Sequence, residues 1–218
     1  MNLRRTCTAV LFALALSCTT ALAASLSLSG SYAVTGTNPD GARYDTSLEV
    51  SRSGETYRFV WGGDTVGVGV VVGRQVAVAY GHEKAAACGV VAYAVSRNGD
   101  LDGLWATGSS LGSEYAASAT GPYRVNGRNP DGTRYSGTLG VYTVGPAYSL
   151  EWLIGKSRYV GVGIRQDRLL GVAYGADSCG VVVYTVSDTG TLEGDWTAFD
   201  VLDGNGKQGA GTETARPR

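Results

Sequence analysis

The chain is expected to be all-β, built as two tandem antiparallel meander modules, and three observations point there. The string from Gly30 to Gly41 returns, with substitutions, from Gly121 to Gly132, 91 residues later. Tight-turn residues recur at short intervals, and Gly is abundant at 33 residues, which disfavours helix. Apolar and polar side chains alternate with period two, and no segment sustains a helical period. The repeat constrains every later step. Its offset also holds at Trp61/Trp152, Cys88/Cys179, Tyr93/Tyr184, Leu101/Leu192, Gly103/Gly194 and Trp105/Trp196.

Each copy divides into eight expected strands. In the first they are Ser31–Thr37, Arg43–Arg52, Thr56–Gly62, Thr65–Val72, Gln75–Tyr80, Cys88–Arg97, Leu101–Thr107 and Ser113–Ser118. In the second they are Tyr123–Arg128, Arg134–Thr143, Ala147–Ile154, Tyr159–Arg165, Arg168–Tyr174, Gly180–Ser187, Thr191–Ala198 and Gly211–Thr214. Asn-Pro-Asp-Gly at 38–41 and 129–132 suits a tight turn: Asn caps it, Pro presets φ, and Gly accepts φ > 0. Ser53-Gly54, Asn98-Gly99-Asp100 and Thr189-Gly190 are hairpin signals of the same kind.

Alternation assigns faces. Tyr57, Phe59 and Trp61 share one side of their strand, and Tyr148, Leu150 and Trp152 share one side of its copy. Asp102, Glu193 and Asp195 lie opposite the side that carries Trp105 and Trp196. Eight such strands can close into a small up-and-down barrel, or form an open sheet or a sandwich shared between the repeats. Gly67 and Gly69, with Gly161 and Gly163, leave one face of a strand bare, either for tight coiling and space for a neighbouring ring such as Trp61 or Trp152, the favoured reading, or for close approach of a ligand.

Residues 1–23 read as a signal peptide: Arg4 and Arg5, an apolar run from Val10 to Leu16, and small residues before a cleavage near Ala23. The run is too short to span a bilayer, and no other stretch is long enough for a membrane helix. A lipid anchor at Cys18 is not expected, because Ala15 stands where a lipobox carries Leu. The domains are then 24–119 and 120–218, secreted or periplasmic. Loss of Arg4 and Arg5 takes the basic residues from 18 to 16 against 19 acidic ones, a net charge of −3. That balance argues against nucleic acid, and no charge run suggests a membrane patch. Of the four cysteines, Cys88 and Cys179 remain, one per copy. They form either one bridge between the repeats or two separately buried thiols.

A catalytic group is needed once, whereas cores and binding surfaces copy well, so an enzyme is not expected. The single His82 near Cys88 has no counterpart in the second copy. No metal-ligand spacing is present, the Asp200–Gly206 segment lacks the closing Glu of a calcium loop, and no cofactor is implied. Glu114 and Glu213 recur near the ends of the repeats, as acceptors that help close the sheet or as polar groups at a pocket mouth. The aromatic set Tyr57, Trp61, Trp105, Tyr148, Trp152 and Trp196 serves either as core or as the lining of a ligand site.

Tyr-x-Val-x-Gly-x-Asn-Pro-Asp-Gly-x-x-Tyr opens a longer pattern in each copy. A strand ending in Trp, Val-Gly-Val-Gly, Val-Ala-Tyr-Gly, Cys-Gly-Val-Val-x-Tyr, Leu-x-Gly-x-Trp and Gly-Ser/Thr-Glu follow. The whole resembles a family of small secreted bacterial proteins labelled fibronectin-binding. Asn38, Pro39, Asp40, Gly41, Tyr44, Trp61, Ala79, Tyr80, Cys88, Gly89, Tyr93, Trp105 and their second-copy partners carry the resemblance. It implies adhesion to a host matrix protein. The layout of one repeat is also similar to calycin-type small barrels, which include avidin-like proteins and protease inhibitors, and this implies a barrel fold. The leading expectation is a non-catalytic binding protein with an extracellular protein or glycan partner. The alternatives are a small-ligand carrier with an aromatic-lined barrel interior, and an inhibitor of secreted proteases. No oligomeric state is assigned.

Overall fold

A computed structural model describes residues 28–82, 88–107, 109–118, 122–175, 179–198 and 205–218. The leader at 1–23 with Cys18, the loop at 83–87 and the start of the Asp200–Gln208 hairpin lie outside the described residues. Among the described residues sixteen strands run in chain order. The first copy supplies β1 Gly30–Thr37, β2 Arg43–Ser53, β3 Thr56–Trp61, β4 Thr65–Val72, β5 Gln75–His82, β6 Gly89–Val95, β7 Leu101–Ala106 and β8 Gly112–Ala117. The second supplies β9 Tyr123–Arg128, β10 Arg134–Val144, β11 Ala147–Ile154, β12 Ser157–Gln166, β13 Leu169–Tyr174, β14 Gly180–Val186, β15 Leu192–Ala198 and β16 Gly211–Pro217. Every expected strand is present, and the bounds differ by a few residues at most. Among the described residues no helix is long and apolar enough to cross a membrane.

The strands close into two antiparallel barrels of eight, but neither barrel is one repeat. The order around the first is β1-β16-β15-β14-β5-β4-β3-β2, and around the second β10-β11-β12-β13-β6-β7-β8-β9. Each barrel therefore takes five strands from one copy and three from the other. The exchange happens at one joint. β5 pairs with β14 rather than with β6, placing Val182 opposite Val78. β6 pairs with β13, placing Val91 opposite Val172. The second barrel is thus a continuous stretch, β6 to β13, set between the two parts of the first.

The turns hold as the local chemistry requires. Gly41 N–H donates to Asn38 O at 2.9 Å, Ala42 N–H donates to the Asp40 side chain at 2.9 Å, and Gly41 has φ 87°. Asn129, Asp131, Thr133 and Gly132 repeat the arrangement, with φ 86° at Gly132. Each turn sets its Asn at a barrel mouth.

Three apolar clusters follow from this topology. One fills the first barrel around Phe59, Trp61 and Tyr184, and one fills the second around Tyr93, Leu150 and Trp152. The third lies between the barrels, where Val70, Ala77, Ala79, Val90, Ala92, Val162, Ile164, Val181 and Val183 meet. β6, β13 and β14 are buried on both faces, and so read as continuous apolar runs rather than alternating ones. Elsewhere the outer faces are polar, with Glu49, Arg58, Asp102 and Glu193 exposed.

Cys88 and Cys179 form a disulfide with Cα atoms 5.6 Å apart. Of the two readings open in the sequence, the bridge is the one found. Equivalent residues of two copies meet only near a pseudo-two-fold axis. Ala77 and Gly171, also equivalent once a three-residue insertion is allowed for, meet in the same way: a Cβ on Gly171 would lie 3.1 Å from that of Ala77.

Candidate functional site

Each barrel holds one glutamate in its interior, Glu213 in the first and Glu114 in the second, 7% and 6% exposed. Both sit centrally in their strands, β16 and β8, on the face that alternation turns inward. A buried carboxylate needs hydrogen-bond donors or a cation. Neither glutamate has an ion pair among the described residues. Donors come instead from both copies of the repeat.

In the second barrel, Tyr93 on β6 donates its hydroxyl to Oε1 of Glu114. Trp152 on β11 donates Nε1–H to the same oxygen at 2.9 Å and to the Tyr93 hydroxyl at 3.1 Å. Tyr135 on β10 donates to Oε2 at 2.9 Å. The first barrel repeats the set. Tyr184 on β14 and Trp61 on β3 donate to Oε1 of Glu213, the indole at 2.9 Å, and Tyr44 on β2 donates to Oε2 at 2.9 Å. In both barrels one copy supplies Glu and one Tyr, and the other supplies Tyr and Trp.

The phenols report the environment. Burial, and after it the nearby Glu114 charge, pushes the Tyr93 and Tyr135 hydroxyls well above the usual range. Burial and then Glu213 do the same to Tyr184 and Tyr44. Tyr174 is raised by burial, with a smaller contribution from Glu114.

Above each glutamate a cavity opens at the barrel mouth, about 510 Å³ in the first barrel and about 340 Å³ in the second. Their linings are homologous. Tyr44, Trp61, Tyr80 and Trp196 surround Glu213, and Tyr135, Trp152, Tyr174 and Trp105 surround Glu114. Asn38 and Asn129, from the two Asn-Pro-Asp-Gly turns, stand at the rims. Trp196 meets Tyr44 edge-on at 6.4 Å between ring centroids, and Trp105 meets Tyr135 in the same way at 6.4 Å. Among the described residues, the buried Nε1–H groups of Trp105 and Trp196 have no acceptor in good hydrogen-bond geometry. They lie close enough to Tyr135 and Tyr44 to oppose weakly the rise in those hydroxyls.

Glycines shape these walls. Tyr44 lies over Gly36, Tyr80 over Gly180, Tyr184 over Gly194 and Trp196 over Gly211, each on the neighbouring strand and directly opposite in register. Trp61 covers Gly67, where a Cβ would come within 3.0 Å of the indole, and Trp152 covers Gly161 at 2.9 Å. Gly67 and Gly161 are therefore beds for indoles, as the favoured reading of the sequence expects, Gly69 lies under Phe59, and Gly163 lies against Leu150.

The four tryptophans of the expected site are all brought to the cavities. Tyr57 and Tyr148 are not among the lining residues. They lie four residues before Trp61 and Trp152 on β3 and β11, and Tyr57 accepts a hydrogen bond from Arg52 at 3.2 Å. Tyr44, Tyr80, Tyr93 and their copies were not singled out beforehand as site residues. Their signal was a repeated Tyr with a repeated Gly directly opposite.

The rims differ. Asp64 and Thr65 border the first cavity, while Ile154 and Tyr159 border the second. Tyr159 occupies the register position opposite Trp152 that Thr65 occupies opposite Trp61. Glu114 and Glu213 lie in separate barrels, so they do not form the close carboxylate pair of a glycosidase. No family model, curated protein or solved structure matches the chain.

Proposed function

We propose that the chain is an exported, non-catalytic binding protein that holds a small molecule in the mouth of each barrel. The observation that carries this is the recurrence, in two cavities, of the same four rings, one buried glutamate and one rim asparagine. A barrel of eight strands is of the size whose interior either fills with side chains or holds one small ligand. Here side chains fill it below the glutamate and leave it open above. The carrier reading gains more from this geometry than an adhesin-like reading does. A disulfide between the repeats accords with export to an oxidising compartment.

The test is a native mass spectrum of the protein from its own envelope fraction, compared with Trp105→Phe and Trp196→Phe variants. Neither indole has an acceptor in good geometry among the described residues, so their replacement chiefly trims a cavity wall. Up to two added small-molecule masses are expected, with one site weakened roughly tenfold in each variant. Bare protein in all three samples, with unchanged behaviour of the variants, counts against the reading.

A further inference from the structure

The ligand's charge can be argued from the same groups, and this step rests on the cavity reading above. A carboxylate offers about four acceptor positions. Oε1 of each glutamate receives two donors, a phenol and an indole, while Oε2 receives one phenol. Among the described residues one acceptor position on Oε2 is thus left over in both barrels, and both glutamates border the cavities. Among the residues whose side chains are described, no Lys, Arg or His lines either cavity, and the donors on each carboxylate are neutral. Around it stand four aromatic rings whose faces attract cations. A buried anion short of one donor, inside an aromatic cage, favours a cation that carries N–H.

We propose that each cavity takes an organic ammonium ion, its N–H donating to Oε2 of Glu114 or Glu213 and its hydrocarbon body lying among the rings. The shared floor then reads the same head group twice, while the rims sort the remainder. Asp64 and Thr65 suit a polar or further cationic substituent in the larger cavity. Ile154 and Tyr159 suit an apolar one in the smaller.

Three probes on one skeleton test this by calorimetry on the intact, disulfide-bonded chain: 2-phenylethylammonium, 2-phenylethanol and 3-phenylpropionate. The ammonium ion is expected to fill two sites and to bind roughly tenfold or more tightly than the alcohol, with the carboxylate weakest. Glu114→Gln should abolish that preference at one site and leave it at the other. The charge ranking in the unsubstituted protein stands by itself if the variant does not fold. An alcohol that binds as tightly as the ammonium ion, or a carboxylate that binds more tightly, overturns the ammonium assignment and leaves the cavity reading intact. No binding by any of the three at roughly 10 mM overturns both.

Discussion

At the scale of single residues, each glutamate gathers two phenols and an indole inside its barrel. Glu213→Ala would strand the hydroxyl of Tyr184 and the indole N–H of Trp61 inside the barrel, and release that of half-buried Tyr44. Unpaired buried donors cost about 1–3 kcal/mol each, so the variant should lose at least about 2 kcal/mol in denaturant unfolding. The phenols give a second expectation. Their folded pKa values are raised above the unfolded value of about 10. A group raised in this way contributes stability that is fully present below the unfolded value and is lost as pH climbs toward the folded one. Stability should therefore begin to fall above about pH 10. Phenolate absorbance from Tyr44, Tyr93, Tyr135, Tyr174 and Tyr184 should appear together with unfolding rather than before it. Early titration of these five in the folded protein would contradict the burial described. The tryptophans were legible in the sequence because four of them recur in register. The tyrosines were not, because 13 are spread over the chain and only strand pairing shows which face inward beside a glutamate.

At the scale of the elements, ring and glycine act as one unit across neighbouring strands. Gly103 on β7 lies opposite Tyr93 on β6, and a Cβ there would come within 2.6 Å of the ring. Tyr93 is fully buried and held by Glu114, so it has nowhere to swing. Gly103→Ala should cost about 1–3 kcal/mol through overpacking. It should also weaken ligand binding in the second cavity while sparing the first. Equal loss at both cavities would show that the barrels are not separate in this respect. Strand positions were readable from alternation and turn chemistry, since Tyr57, Phe59 and Trp61 point in while Arg58 points out. The faces of β6, β13 and β14 were less readable. Their apolar runs answer to two interiors at once, and a run buried on both sides carries no period.

At the scale of the whole molecule, the exchange of three strands between copies was not legible, and the reason is local. β6 reads Gly-Val-Val-Ala-Tyr-Ala-Val and β14 reads Gly-Val-Val-Val-Tyr-Thr-Val, so either satisfies the edge of β5 equally well. What differs is the connection, and the chain crosses from one barrel to the other after β5 and returns after β13. The repeat and the folding unit are therefore different stretches of chain, and fragments distinguish them. A fragment of residues 24–119 contains β1–β8 but only five strands of one barrel and three of the other, and it completes neither cavity. It should be unfolded, or should pair with a second copy of itself by the same exchange. A fragment of residues 88–175 contains β6–β13, all eight strands of a closed barrel, with Glu114, Tyr93, Tyr135 and Trp152 in place. It should fold on its own and retain one binding site. Its tendency to self-associate should be marked, because Val90, Ala92, Val162, Ile164 and Leu169 lose their cover from the other barrel. Circular dichroism and sedimentation of the two fragments decide the matter. A stable monomer from 24–119 with no structure in 88–175 would mean that each repeat closes on itself, and that the pairing of β5 with β14 is not the one the protein uses.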